Sequence, residues 1–303
     1  LMWSVISWCS AWWMPMHGVT RVIPGEMQNQ CGGRWGDPHR VENHNLVVTG
    51  KIVSVIWGNM PASSNFQNAI REAQSSALVG PNVINKALPY VGSGMALTAA
   101  GVVGGMATMG SIGFSAFNTL SLVAIIPWFI LFFVAQNAAT KGNNATALPL
   151  MATFSLLTGF TLTGLVVQAI AVAGVASIGI AALATGLTFV IASVVGRRMS
   201  DSVGQALSAV VGLGLMGLII AMLGIFVAGF FIPGIYAATN LAIAGLGTVL
   251  FVGMAFVDFY TMPRTYRDDQ YLAGALGMYL TYINLFIFIL RLVIALQGGG
   301  RRD

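Results

Sequence analysis

Asp258 is the residue in this chain best placed to do chemistry, because it follows 56 consecutive residues, 202 to 257, with no Asp, Glu, Lys or Arg. An acid at membrane depth is costly unless it is protonated, paired or hydrated, so it marks a proton or ion site by default. A blander reading stands beside it: a carboxylate at a helix end that reaches the headgroup layer and pairs with Arg264, six residues on. Position alone leaves both readings open. The other chemical patterns are weaker. Cys31, His39 and His44, together with Cys9 or His17, carry ligand atoms, yet the spacings 31–39 and 39–44 match no standard zinc pattern and read as loop, so no metal or cofactor is expected. Gly212, Gly214 and Gly217 match G-x-G-x-x-G, but the dinucleotide fingerprint needs a strand before it. Inside an uncharged run the pattern reads as close helix packing. No histidine occurs after residue 86, so no Ser, His and acid arrangement can form there and no enzyme activity is expected. Asn144-Ala145-Thr146 is a glycosylation sequon, expected to remain unmodified because of the membrane face it lies on.

The elements that must position Asp258 follow from where charge is missing. Of 303 residues, 56% are apolar and 8% charged, with mean hydropathy +0.81. An average soluble domain is about a quarter charged, so a water-soluble globule is excluded. Disorder is excluded too, since it needs low hydrophobicity and high net charge. A hydrocarbon core about 30 Å thick takes about 20 apolar residues per helix. The uncharged runs bounded by Lys86, Lys141, Arg197, Asp201 and Asp258 hold 54, 55 and 56 residues, enough for two spans and a turn each. Gln270 to Leu290 adds 21 residues, or one span. The expected fold is an all-α polytopic membrane protein, a bundle of seven helices near 90–111, 115–136, 147–170, 173–196, 205–229, 234–258 and 271–294. These spans are rich in Gly, Ala, Ser and Thr, which let helix backbones approach closely in lipid. Pro127 predicts a kink in the second span, Pro149 lies near the start of the third, and Pro81 and Pro89 bracket the start of the first.

The basic residues set an orientation, because Lys and Arg beside the spans stay on the cytoplasmic or equivalent side. The hairpin turns near 111–115, 171–176 and 231–234 carry no charge, whereas the alternate connections carry Lys141, Arg197, Arg198, Arg264 and Arg267. The N-terminal region is therefore expected on that positive side and the end of the last span opposite. Arg301 and Arg302 in the tail count against the rule.

Residues 1–86 form a separate, non-spanning extension holding six of the seven Trp, all three His and both Cys. Its first 16 residues read as an interfacial Trp-rich segment or part of a targeting sequence. The chain opens on Leu1 and not Met, which fits processing or an incomplete start. Residues 19–45 read as loop and 46–57 as a strand or surface-lying segment. Residues 65–78 have the spacing of an amphipathic helix. Residues 87–297 make the membrane domain and 298–303 a basic tail. The net charge of +5 fits contact with anionic lipid, and no basic patch interleaved with aromatics points to nucleic acid.

The segment from Val257 to Leu292, VDFYTMPRTYRDDQYLAGALGMYLTYINLFIFILRL, resembles the C-terminal signature of the Bax-inhibitor family. That signature has an acid ending the sixth helix, matched by Asp258, and a loop with a pair of acids, matched by Asp268 and Asp269. Its last helix reads L-x-L-Y-x-D-x-x-N-x-F-x-x-x-L-R, matched at Tyr279, Asn284, Phe286, Leu290 and Arg291. The resemblance covers about residues 87 to 296 and implies seven helices with the last one central. It also implies a calcium leak gated by protons shared between two carboxylates; Arg264 and Arg267 of the basic connection and the motif residue Arg291 are the pairing charges beside it. Here Thr281 stands where the second carboxylate would be. A hydroxyl can hydrogen-bond Asp258 but cannot share a titrating proton with it. Asn284, one turn beyond Thr281, is expected to complete a polar ion or proton site. The tail GGGRRD is similar to that of the growth-hormone-inducible mitochondrial branch, which implies the mitochondrial inner membrane with the N-terminal region in the matrix. The endoplasmic reticulum or another endomembrane is the alternative. Two functions are expected: a pH-linked calcium or cation leak channel or exchanger, or a non-conducting structural or assembly subunit of a larger membrane complex. The partners are then the bilayer, calcium or protons, and other complex subunits bound through residues 1–86.

Overall fold

The computed structural model describes residues 78–299. The interfacial segment, the loop, the 46–57 run and the Cys and His cluster expected in the extension lie outside the described residues. So do the tail from residue 300 and, except for Leu78, the amphipathic helix. Among the described residues, seven helical segments are long and apolar enough to cross a membrane, as the spacing of charge predicts. The first is α1 (Val83–Ile112). The second consists of α2 (Phe114–Val123) and α3 (Ile125–Thr140) end to end. Then come α4 (Asn144–Ala173), α5 (Ala176–Val195) with a 3-10 turn over Gly196–Arg198, α6 (Asp201–Ala228), α7 (Ile235–Thr265) and α8 (Tyr271–Gly299).

The breaks have local causes. Gly113 (φ 82°) and Gly174 (φ 76°) take left-handed backbone values at two of the uncharged hairpin turns, where a side chain would be strained. In an unbroken second span the nitrogen of Pro127 would face the Val123 carbonyl, and it has no hydrogen to donate. The helix is interrupted there, between Val123 and Ile125. Gly212, Gly214 and Gly217 lie within α6, with no strand before them. A Cβ at Gly214 would press on Leu250 of α7, whereas one at Gly217 would meet open space, so close packing explains Gly214 and not Gly217.

Two boundaries differ most from expectation. The first span starts at Val83, which puts Pro89 inside α1 and not at its mouth. The helix expected to end at Asp258 runs on to Thr265, because neither a lone acid nor Pro263 near a C-terminus stops it. The Pro263 carbonyl instead accepts from the backbone N–H groups of Val79 at 2.9 Å and Gly80 at 3.0 Å, which fastens the start of the membrane domain to the end of α7.

The last helix is central, as the resemblance implies. Of its most apolar window 67% is buried, against 17% to 39% in the other spans. A helix that is apolar all round belongs in an interior. Leu272, Leu276, Leu280 and Leu290 on α8 are wholly buried, whereas Val103, Leu183, Leu213 and Val249 on outer helices are exposed where hydrocarbon would cover them. A pair of hydroxyls ties α8 to α1, since Thr98 and Tyr279 share a hydrogen bond of 2.6 Å, and Trp128 ties α3 to α4 by donating to Thr158 at 2.8 Å. The α1–α4 crossing is so close that a Cβ at Gly101 would strike the Leu156 carbonyl oxygen, and one at Gly159 the Thr98 carbonyl oxygen.

Candidate functional site

Asp258 lies seven residues before the end of α7, roughly 10 Å inside the helix at 1.5 Å per residue. It is partly buried, and its Oδ2 is covered with no hydrogen-bond partner. The Thr281 side chain, buried on α8, hydrogen-bonds the carboxyl group. Thr281 stands where the resemblance implies a second acid, and the structure brings it to Asp258.

Two further polar side chains belong to this neighbourhood, Tyr266 through the charge of the carboxyl and Gln136 through Tyr266, and sequence reasoning missed both. Tyr266, in the connection after α7, is near enough for its phenol to feel the Asp258 charge; burial first, and that charge second, hold its pKa above the usual tyrosine range. Gln136 of α3 approaches the same phenol, and its amide Oε1 and Nε2 are buried without hydrogen-bond partners. Gln136 interrupts an apolar stretch, and that was the available signal. Asn284 is wholly buried, but its Nδ2 donates to the Leu280 carbonyl at 2.8 Å, along its own helix.

The anchoring reading of Asp258 is not what the structure has. Arg264 donates through Nη2 at 2.9 Å and Nε at 3.2 Å to Asp201 Oδ1 at the start of α6, and through Nη1 to the Tyr260 carbonyl at 2.7 Å. Its guanidinium also lies 4.0 Å from the centroid of the Tyr260 ring. Six residues along an α-helix turn a side chain about 240° away, so Asp258 and Arg264 leave α7 on different faces. Arg264→Leu removes a charge-assisted, partly buried pair and is expected to cost about 1.5–3 kcal/mol. A lowered unfolding temperature in detergent checks this, and an unchanged one contradicts it.

The loop acids serve as fastenings. Asp268 accepts from the Asn82 backbone N–H at 2.9 Å and Asn82 Nδ2 at 3.2 Å, so a carboxylate sits at the positive N-terminus of α1. Lys86 Nζ donates to the Asp268 carbonyl at 3.2 Å. Asp269 pairs with Arg267 at 3.0 and 3.1 Å and accepts, through its carbonyl, from Asn144 Nδ2 at 2.9 Å. The Arg267 guanidinium holds the Asp269 carboxyl below the ordinary carboxylate range. The support from this exposed pair is present at neutral pH, is lost as pH falls through that carboxyl's titration, and is screened by salt. Gln270 Nε2 reaches the Thr140 carbonyl at 2.6 Å, and Arg197 reaches Asn85 at 3.1 Å. The basic connections thus gather at one end of the bundle, as the charge pattern implies. Arg291 lies far along α8 from them, partly buried beside a cavity.

A family model described as "Inhibitor of apoptosis-promoting Bax1" matches residues 80–298. The chain is 36% identical over 70 residues to Bax inhibitor 1 of Schizosaccharomyces pombe, covering 23% of this chain and 26% of that protein. The match therefore spans about a quarter of the yeast protein's length. An uncharacterized membrane protein of Streptococcus pyogenes serotype M1 is 30% identical over 191 residues, covering 59% of this chain and 74% of the other. The uncharacterized protein YrjE of Lactococcus lactis is 28% identical over 192 residues, 60% and 76% of the two chains. The family match takes in all seven spans, the central last helix and the Asp258 site alike, and this chain belongs to the Bax inhibitor family.

Proposed function

We propose that this protein is a pH-linked cation leak, a channel or exchanger passing calcium or another cation, in which the Asp258 carboxyl is the proton- and cation-sensitive group. The observation that carries the reading is a covered carboxyl oxygen without a hydrogen-bond partner inside a seven-helix bundle, held on its other side by Thr281. A buried acid without a counter-charge is tolerable when protonated and attracts a cation when ionised, so one proton switches the field along the bundle interior. Calcium takes six to eight oxygen ligands. Asp258 and Thr281 supply few of these, which suits a cation that passes and not one that lodges. Tyr266, whose phenol feels this carboxyl's charge, and Gln136, which approaches that phenol, would admit or exclude water. The mitochondrial inner membrane, with residues 1–86 in the matrix, is the location proposed on the resemblance of the tail.

Calcium flux into dye-loaded liposomes, measured across a pH series, tests the reading. Wild-type flux is expected to change with pH, and Asp258→Asn to be flat. Equal pH profiles for the two would overturn it. The non-conducting assembly subunit keeps a place because Thr281 removes one of the two acids on which the family's proton-gated leak depends. Gentle solubilisation separates the readings: a particle of one 31.9 kDa chain plus detergent removes the subunit reading, and a stable larger complex without flux favours it.

A further inference from the structure

Arg291 lies 20 residues beyond the start of α8, roughly 30 Å along the axis, and so at the opposite end of the bundle from the acids. The carboxylates among the described residues are Asp201, Asp258, Asp268 and Asp269, and all belong to the other end. None of the ion pairs they form includes Arg291. The guanidinium is partly buried, and a cation in such a place needs a counter-charge.

A cavity of about 340 Å³ supplies room for one. It lies between α2, α4 and α8 and is within the size range of small-ligand pockets, roughly 300–1,000 Å³. Its polar lining consists of Arg291, Asn118, Ser121 and Gln168, with a hydroxyl at Thr161, and Leu122 and Leu165 help form its apolar wall. Ser121 is 8% exposed, and its Oγ has no hydrogen-bond partner, so a buried hydroxyl stands beside the cavity with its hydrogen undonated. A fork of guanidinium donors, a hydroxyl and two amides, with no carboxylate among them, is the donor set that recognises an oxyanion. The apolar wall fits the glycerol and upper chain of a lipid beneath such a group.

We propose that this cavity binds a phosphate group, with Arg291 as its charged clamp and Ser121 as the buried second donor. The phosphate belongs either to a phospholipid of the adjoining leaflet or to free inorganic phosphate.

The full chain, purified in a phosphate-free maltoside detergent, tests both sources. Native mass spectrometry reads retention of phosphatidylglycerol, and equilibrium dialysis reads binding of radiolabelled inorganic phosphate. At least one is expected to bind. Loss of one charge-assisted clamp should lower that binding about tenfold in Arg291→Gln, and loss of one neutral donor about threefold in Ser121→Ala. Arg198→Gln, at the other membrane face, should leave it unchanged. Phosphatidylglycerol retained without inorganic phosphate identifies the lipid, and binding of both identifies a general phosphate site. Binding of neither overturns the proposal, as does undiminished binding in Arg291→Gln. If Arg291→Gln does not yield a monodisperse protein, undiminished binding in Ser121→Ala overturns it.

Discussion

Gly159→Leu is expected to leave no folded bundle. A Cβ at this position would overlap the Thr98 carbonyl oxygen and lie 2.8 Å from its carbon and 2.9 Å from the Val102 nitrogen. All three are backbone atoms of α1, which cannot rotate aside as a side chain would. Gly101 stands in the reciprocal position, with the Leu156 carbonyl carbon 3.0 Å from its would-be Cβ. Relief would require α1 and α4 to separate along their crossing. That movement would take Thr98 from Tyr279, now at 2.6 Å, and from the Ser155 carbonyl, now at 3.2 Å. Ordinary overpacking of a core costs about 1–3 kcal/mol, and a leucine driven into backbone is expected to exceed that range. In lipid, close approach supplies much of what holds helices together, so few other terms can compensate. Size-exclusion profiles and thermal unfolding in detergent check the result. Gly104→Leu is the control, since a Cβ there meets nothing within 4 Å, and it should behave as wild type. A monodisperse Gly159→Leu protein with wild-type unfolding would contradict the packing account.

Thr281→Asp is expected to split the pH response of flux into two steps while leaving the bundle folded. Thr281 is 2% exposed and hydrogen-bonds Asp258, so an aspartate there would put two carboxyls in one covered site. Two such groups do not ionise independently. They share a proton and titrate as a pair, so the single transition expected of the wild type should become two steps separated by about one pH unit or more. Thr281→Val isolates the hydroxyl: it removes the hydrogen bond to Asp258 and adds no charge. Flux in liposomes across a pH series reads both variants. A single unshifted transition in Thr281→Asp would mean that the two positions do not act on one pathway.

The number and order of the helices were legible because an uncharged run measures a membrane crossing directly. The helix ends were not, since charges mark loops and headgroup layers, while α7 ends where its backbone finds caps. That is why Asp258, read as near-terminal, lies two turns inside. The partner of Arg264 was also illegible: Asp201 is 63 residues away in sequence, and only the fold of α6 against α7 brings them together. Thr281 was found through the resemblance, as a departure from its pattern. Gln136 and Tyr266 were not, because a glutamine in an apolar stretch and a tyrosine in a loop have many ordinary explanations until the fold brings the tyrosine within reach of the carboxyl's charge and the glutamine to the tyrosine. Arg291 could be read as a motif residue, whereas the lack of an acid at the same end among the described residues is a property of three-dimensional placement.

Infrared difference spectroscopy of the Asp258 carboxyl can follow the proposed switch itself. The chain has nine acidic residues, so a carboxylic C=O band present in the wild type and missing from Asp258→Asn can be assigned. This band and the calcium flux of the same liposome preparation are expected to titrate with one shared midpoint. Flux that responds to pH while the Asp258 band does not change, or a band that titrates while flux stays constant, would contradict it.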